Sequence, residues 1–383
     1  MNKLKVMSIF GTRPEAIKMA PLVKKLQETE EIDSVLCVTA QHRQMLDMVL
    51  DLFELKADYD LDIMEHGQSI SDITVKVLKG MENILQEVKP DIVLVHGDTS
   101  TTFVGALAAF YQQIPVGHVE AGLRSGNIYS PYPEEMNRKL TTNLASLYFA
   151  PTTGNYDNLI KENITSEKIF ITGNTVIDAL LQVVKKEYVF DNPLLNRIDY
   201  RNKKVIVMTC HRRENWGEPM ENIFKAVVDI KERHKDVEII FPVHLNPKIR
   251  ELAKDIMGNM EGVHLIEPLD YEPFVNLLNK AHLILTDSGG IQEEAPALGK
   301  PILVLREETE RPEAVGAGTV KIVGVDRDKI IKEVEELLSN PKSYSQMANA
   351  TNPYGDGRAC ERIVDALKYH FKITDDRPEA FKI

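Results

Sequence analysis

The chain alternates short apolar runs with longer stretches whose apolar positions recur every three or four residues. Residues 6–10, 35–39, 92–96, 116–119, 147–150 and 169–172 are short apolar runs, the pattern of parallel strands buried on both faces. Helical periodicity fills the intervals, for instance over 14–27 and 101–111. A polar stretch at 191–202 reads as a loop, after which the pattern restarts. Residues 205–208, 239–243, 264–266, 283–286 and 302–305 form a second set of strands, with helices at 223–233, 247–257 and 330–338 between them. Such alternation predicts right-handed crossovers and open parallel sheets. The fold expected is therefore α/β, with two Rossmann-like domains whose parallel sheets face each other across a cleft. The first spans 1–172 and the second 173–363; 383 residues also exceed what one core ordinarily supports.

Composition narrows the partners. The chain has 46 Lys and Arg against 58 Asp and Glu, a net charge of −12. So acidic a chain is a poor partner for nucleic acid or an anionic membrane surface. Any site for an anionic ligand must be built locally, against the overall field. No apolar run approaches the roughly 20 residues needed to span a bilayer, and the N-terminal MNKLKVMSIF passes directly into a strand. A cytoplasmic location is expected. Cys37, Cys210 and Cys360 lack zinc-ligand spacing and read as reduced thiols. No metal site is expected.

Open parallel sheets bind ligands beyond the carboxyl ends of their strands, and polar residues cluster just there. The first strand runs into Gly11-Thr12-Arg13-Pro14-Glu15, followed by Lys18. This is not a dinucleotide fingerprint, and no GxGxxG occurs in the chain, so a nicotinamide-dependent reaction is disfavoured. The third strand ends in His96-Gly97-Asp98-Thr99, with Asp98 either a helix N-cap or a cleft carboxylate. The next ends in His118-Val119-Glu120, where period-two alternation would put His118 and Glu120 on one face. Pro133 should then start a helix with Glu134 in its first turn and Arg138 one turn on. Glu134 is either an i,i+4 partner of Arg138 or a third carboxylate. At a helix N-terminus it suits a base better than an acid.

The second set supplies the opposite chemistry. Its first strand ends in Cys210-His211-Arg212-Arg213-Glu214-Asn215, a cationic turn in which arginine could grip phosphate bidentately. Cys210 and His211 are adjacent on a strand and point to opposite faces, so they make no nucleophile pair. Asp287-Ser288-Gly289-Gly290-Ile291-Gln292-Glu293-Glu294 follows a strand and opens a helix. Paired glycines there leave backbone N–H groups free for a diphosphate, and Glu294 could accept from ribose hydroxyls. Phe274 is either a core aromatic or a platform for a base. The sum is a carboxylate set and a phosphate set that suit a nucleotide-linked sugar, without identifying the sugar or the reaction.

These motifs, taken in order, resemble the non-hydrolysing bacterial UDP-N-acetylglucosamine 2-epimerases. The resemblance runs nearly end to end through 11–21 (GTRPEAIKMAP), 41–46, 96–99, 118–124, 211–215, 242–247, 286–296 and 352–357 (NPYGDG). It implies a glycosyltransferase-B-like fold, a homodimer, no cofactor, and a C-terminal helix, about 364–383, that packs back on the first domain. It also implies that Arg13, His211, Phe274, Ser288, Gly289, Gly290 and Glu294 hold UDP, while Lys18, Asp98, Glu120, Glu134 and Arg138 surround the sugar. A second UDP-N-acetylglucosamine would act as an allosteric activator at Gln41, Gln44, Arg212 and His244. Gly67 departs from the arginine that many relatives carry there. A hydrolysing 2-epimerase, a glycosyltransferase of the same fold and a non-catalytic nucleotide-sugar sensor are the rival readings.

Overall fold

Among the described residues there are thirteen strands, most of them short, apolar runs rich in β-branched residues and buried on both sides. The computed structural model describes residues 3–41 and 43–382. In the first half the strands are β1 (Leu4–Phe10), β2 (Ile32–Val38), β3 (Tyr59–Asp60), β4 (Ile92–His96), β5 (Val116–Val119), β6 (Leu147–Ala150) and β7 (Ile169–Ile171). All pair in parallel, in the order β3-β2-β1-β4-β5-β6-β7. The second half holds β8 (Lys204–Thr209), β9 (Val237–Pro242), β10 (Val263–Ile266), β11 (Leu283–Thr286), β12 (Ile302–Val304) and β13 (Val320–Ile322). These are parallel too, in the order β10-β9-β8-β11-β12-β13. Every residue of β4, β5 and β6 is buried, because helices cover both faces, as a parallel sheet requires.

The chain divides into two compact units. One runs to Gln182 and resumes over Tyr354–Lys382; the other is Val183–Pro353. The helix Ala359–His370 returns to the first unit and packs on the helix Arg13–Glu28. In each unit the sheet order reverses direction once, between β1 and β4 and between β8 and β11. That switch leaves a crevice at the carboxyl ends of the two strands flanking it. The loops placed there are 11–13 and 97–99 in one unit, and 210–217 and 287–288 in the other.

Three local features differ from the sequence expectation. The stretch 191–202 is not all loop: Pro193–Arg197 is a helix, started by proline and capped by Asn192, which accepts from Leu194 N. Asp98 is not the cap of the helix Ser100–Tyr111, since Thr99 fills that position and accepts from Thr102 N. Alternation along β5 does not extend to Glu120, whose backbone turns left-handed at φ 62°. No helix of the described residues is long and apolar enough to cross a membrane. All three cysteines are free and buried.

Candidate active site

The carboxylates of the first unit gather at its switch point. Gly11 is required there by close approach, as a Cβ would fall 1.8 Å from Thr39 Oγ1. Two residues on, the helix Arg13–Glu28 begins, with Arg13 half-buried in its first position. Glu15 is buried and accepts from Gly11 N, Thr12 N and the hydroxyls of Thr99 and Thr102. Burial outweighs these bonds and raises its pKa. Glu15 thus ties the loop after β1 to the loop after β4.

Lys18, one turn along, meets Glu120 at 2.5 Å between Nζ and Oε1. Asn174 Nδ2 donates to the same oxygen at 2.9 Å, and His96 Nε2 lies 3.4 Å from Glu120 Oε2. Burial opposes ionisation of Glu120, but the Lys18 ammonium and the Asn174 amide prevail and hold the carboxyl well below its ordinary range. Burial pushes His96 down to about 4, so it is neutral at pH 7. A left-handed glutamate is a strained residue, costing about 1–2 kcal/mol. Such strain is typically found where function over-determines a side chain's position.

Asp98 sits beside this cluster. His118 Nε2 donates to Gly97 O at 2.8 Å and steadies the turn, while Asn137 Nδ2 donates to Asp98 O at 2.9 Å. Burial also holds His118 down, to about 4. Arg138 forks between the Asp98 carboxylate and Glu135 Oε2, the latter at 3.0 Å. Of the two readings open for Glu134, the i,i+4 partnership with Arg138 is not made: Glu135, three residues before Arg138, takes that role. Glu135 is buried and also accepts from Ser125 N and Gly126 N. These amides and Arg138 overcome burial and lower its pKa. Glu134 is left in the first turn of the helix Glu134–Leu144, its Oε2 buried with no hydrogen-bond partner.

In the second unit a single buried aspartate joins the two loops of the switch. Asp287 Oδ2 accepts from His211 N and Arg212 N at 2.8 Å, and from Asn215 Nδ2 at 3.1 Å. His211 Nδ1 lies 3.3 Å from Asp287 Oδ1. Burial lowers the pKa of His211 against the pull of Asp287. The imidazole is half-buried and stacks on His244, with ring centroids 5.6 Å apart and an interplanar angle of 12°. Arg213 begins a short 3-10 turn and is exposed. Cys210 is buried, which drives its thiol pKa upward, so the thiol is no nucleophile.

Ser288 precedes the helix Gly289–Glu294. Neither glycine is imposed by packing or by φ: a Cβ at Gly289 would meet Arg212 Nη2 at 3.7 Å, and one at Gly290 would meet Glu294 Oε1 at 3.6 Å. Both are ordinary contacts. Glu294 accepts from the Tyr271 hydroxyl at 3.2 Å. Phe274 is half-buried one turn further along the helix Tyr271–Lys280.

Lys18, Asp98, Glu120 and Arg138 therefore lie together at the carboxyl ends of one sheet, with Glu134 one helical turn before Arg138, and His211, Arg212, Ser288, Gly289, Gly290 and Glu294 lie at those of the other. Gln41 accepts from Thr101 Oγ1 at 3.2 Å, whereas Gln44 is exposed on the helix Arg43–Leu52. Sequence reasoning passed over Glu15, His96, Asn174 and the organising role of Asp287. The signals available were their position next to strand ends and, for Glu15, the Thr12-x-x-Glu15 capping-box spacing.

A family model described as UDP-N-acetylglucosamine 2-epimerase matches residues 24–368. The UDP-N-acetylglucosamine 2-epimerase of Bacillus subtilis is 55% identical over 381 residues, covering 100% of this chain and 99% of that one. A crystal structure of a UDP-N-acetylglucosamine 2-epimerase superposes with a TM-score of 0.94 at 53% identity, covering 100% of both chains. The Neisseria meningitidis UDP-GlcNAc 2-epimerase, solved bound to UDP-GlcNAc, gives 0.83 at 52% identity over 95% of this chain and 99% of that one.

Proposed function

The chain belongs to the UDP-N-acetylglucosamine 2-epimerase family, and from that premise we propose that it inverts carbon 2 of UDP-N-acetylglucosamine to give UDP-N-acetylmannosamine, reversibly and without releasing free sugar. The observation that carries this is the division of polar groups: the Lys18–Glu120 and Arg138–Asp98 carboxylates at one switch point, and His211, Arg212 and a two-glycine helix start at the other. The second unit grips the diphosphate and the first handles the protons of the sugar.

The chemistry follows from the acidity of the substrate. Carbon 2 is not next to a carbonyl, so its proton is too weakly acidic for direct removal. Breaking the carbon 1–oxygen bond sends the electron pair away with UDP and builds positive charge at carbon 1. The carbon 2 proton then passes to a carboxylate, leaving 2-acetamidoglucal. A second group delivers a proton to the opposite face, and UDP returns to carbon 1. Asp98, Glu120 and Glu134 are the acid–base set. Glu120 enters ionised, and the unpartnered Glu134 oxygen is available to accept. Lys18 and Arg138 position Glu120 and Asp98. His211 and Arg212, with Arg213 and Arg13, stabilise the departing diphosphate. Ser288, Gly289 and Gly290 seat it, Glu294 takes the ribose, and Phe274 backs the base.

The same reading gives Gln41, Gln44, Arg212 and His244 to a second, activating UDP-N-acetylglucosamine. It makes the enzyme a cytoplasmic homodimer that supplies N-acetylmannosamine for cell-surface polymers. The test is to incubate the protein with UDP-N-acetylglucosamine alone and follow the anomeric signals by NMR. UDP-N-acetylmannosamine should appear. Release of free N-acetylmannosamine with UDP would make this a hydrolysing enzyme, and an unchanged spectrum would make it a binding protein.

A further inference from the structure

Five cations surround one small cavity at the end of the six-stranded sheet opposite His211 and Asp287. Arg201, Lys203, Lys204, Lys280 and Lys300 line it with a single carboxylate, Asp236, around a volume of about 380 Å3. In a chain of net charge −12, such an excess of positive charge is locally built. Lys204 opens β8, His282 immediately precedes β11, and Lys300 lies just before β12. The cavity thus sits at the amino ends of strands whose carboxyl ends carry the diphosphate loops. The length of β8 alone, about 20 Å, separates the two.

Two of the cations are tied to backbone carbonyls and a third stands over a ring. Lys203 Nζ donates to Lys235 O and Lys204 Nζ to Leu338 O, each at 2.9 Å, with Asp236 at 3.6 Å from the latter ammonium. Lys280 Nζ stands 5.4 Å over the Tyr200 ring. Lys300 is half-buried and has no hydrogen-bond or ion-pair partner among the described residues. Two further polar groups are held in place without partners. The His282 ring stacks on Tyr344 at 4.5 Å and 15°, and Tyr344 donates its hydroxyl to His282 O at 3.1 Å. His282 Nε2 is nevertheless buried without a hydrogen bond, as is the Tyr200 hydroxyl. Burial, reinforced by Lys204 and Lys300, lowers the pKa of His282. A fixed imidazole, a buried hydroxyl and an uncompensated ammonium on one cavity are costly unless an acceptor-rich anion completes them. A phosphate group is small, doubly charged and offers several acceptor oxygens.

We propose that this amino-end cavity is a second anion site, distinct from the diphosphate seat, that takes a small phosphate-bearing ligand through Lys300, Lys280, His282 and Tyr200.

The test is a titration of the full-length protein with inorganic pyrophosphate, read on the histidine ring resonances by NMR, with inorganic phosphate in a parallel arm to distinguish diphosphate from monophosphate recognition. The His282 resonance should move saturably toward its imidazolium position with at least one of the two anions. Lys300→Met should weaken that response at least about tenfold, the loss of one hydrogen bond to a charged group. The response of His211, which reports the other seat, should not change in Lys300→Met. A His282 signal that stays still or drifts without saturating with both anions overturns the proposal, as does an unaltered His282 midpoint in Lys300→Met. Should that variant not fold, saturation in the native protein at low salt, and its loss at high salt, decides the question alone.

Discussion

Gly290→Ala separates stability from binding in a way that no purely structural role for the glycine would. Gly290 is exposed in the second position of its helix, and its φ is not in the left-handed region. A Cβ there finds only Glu294 Oε1 at 3.6 Å and Ser288 Oγ at 4.0 Å. The protein itself thus gives no reason for glycine, and alanine should stabilise the second unit by about 0.5–1 kcal/mol, worth roughly 1–4 °C in Tm. The same methyl would stand in the approach of a phosphate oxygen to the turn. Losing one hydrogen bond from a backbone amide to a charged oxygen costs about 1.5–3 kcal/mol, a ten- to hundredfold loss in UDP affinity. Trp216 is the only tryptophan and lies in the second unit, so its fluorescence follows that unit's unfolding. Calorimetric titration with UDP measures the other quantity. A destabilised variant would refute the packing argument, and unchanged UDP affinity would remove the Ser288–Gly290 turn from the diphosphate seat.

Three further outcomes are expected. Lys18→Met strands the Glu120 carboxylate, whose side chain is only 13% exposed, and should cost about 3 kcal/mol; adding Glu120→Gln should recover most of it, as read by hydrogen exchange at β4 and β5 amides, whereas additive costs would show that the pair is not coupled. Asp98→Asn should lower kcat by about 10²–10⁴-fold with UDP affinity intact, and near-normal turnover would remove Asp98 from the mechanism. His96 and His118 stay neutral down to about 4 in the folded protein but charge near 6.5 once unfolded. Their contribution to stability is therefore full above pH 6.5 and lost as pH falls from 6.5 toward 4, on the order of 1–2 kcal/mol each by pH 5. NMR titration should find both imidazoles uncharged at pH 6.

Strands buried on both faces announce themselves as apolar runs, and so β4, β5 and β6 were legible to within a residue. β3, with two residues, and β13, with three, are too short to show any period. The same limit hid the helix Pro193–Arg197 inside a polar stretch, although its asparagine cap and proline are the usual start signals. Glu120, Ser288 and His211 could be picked out because each follows a strand. Their partners could not. Asp287 meets residues 72 to 76 positions away, and Lys18 meets Glu120 across 102. Nothing local in the sequence records that Glu120 turns left-handed, or that Arg138 chooses Glu135 over Glu134, because both depend on which loop folds over which. The excess of lysines at the amino ends of β8, β11 and β12 was invisible for the same reason: Lys204, Lys280 and Lys300 are far apart until the sheet assembles.

If acidic side chains of the first unit remove and return the proton on carbon 2 of the sugar, that proton exchanges with solvent. Turnover of UDP-N-acetylglucosamine in deuterated water tests it directly, with carbon 2 of the product read by NMR. UDP-N-acetylmannosamine should carry deuterium at that carbon from the first turnover. Product that forms with its original proton still in place would contradict the account.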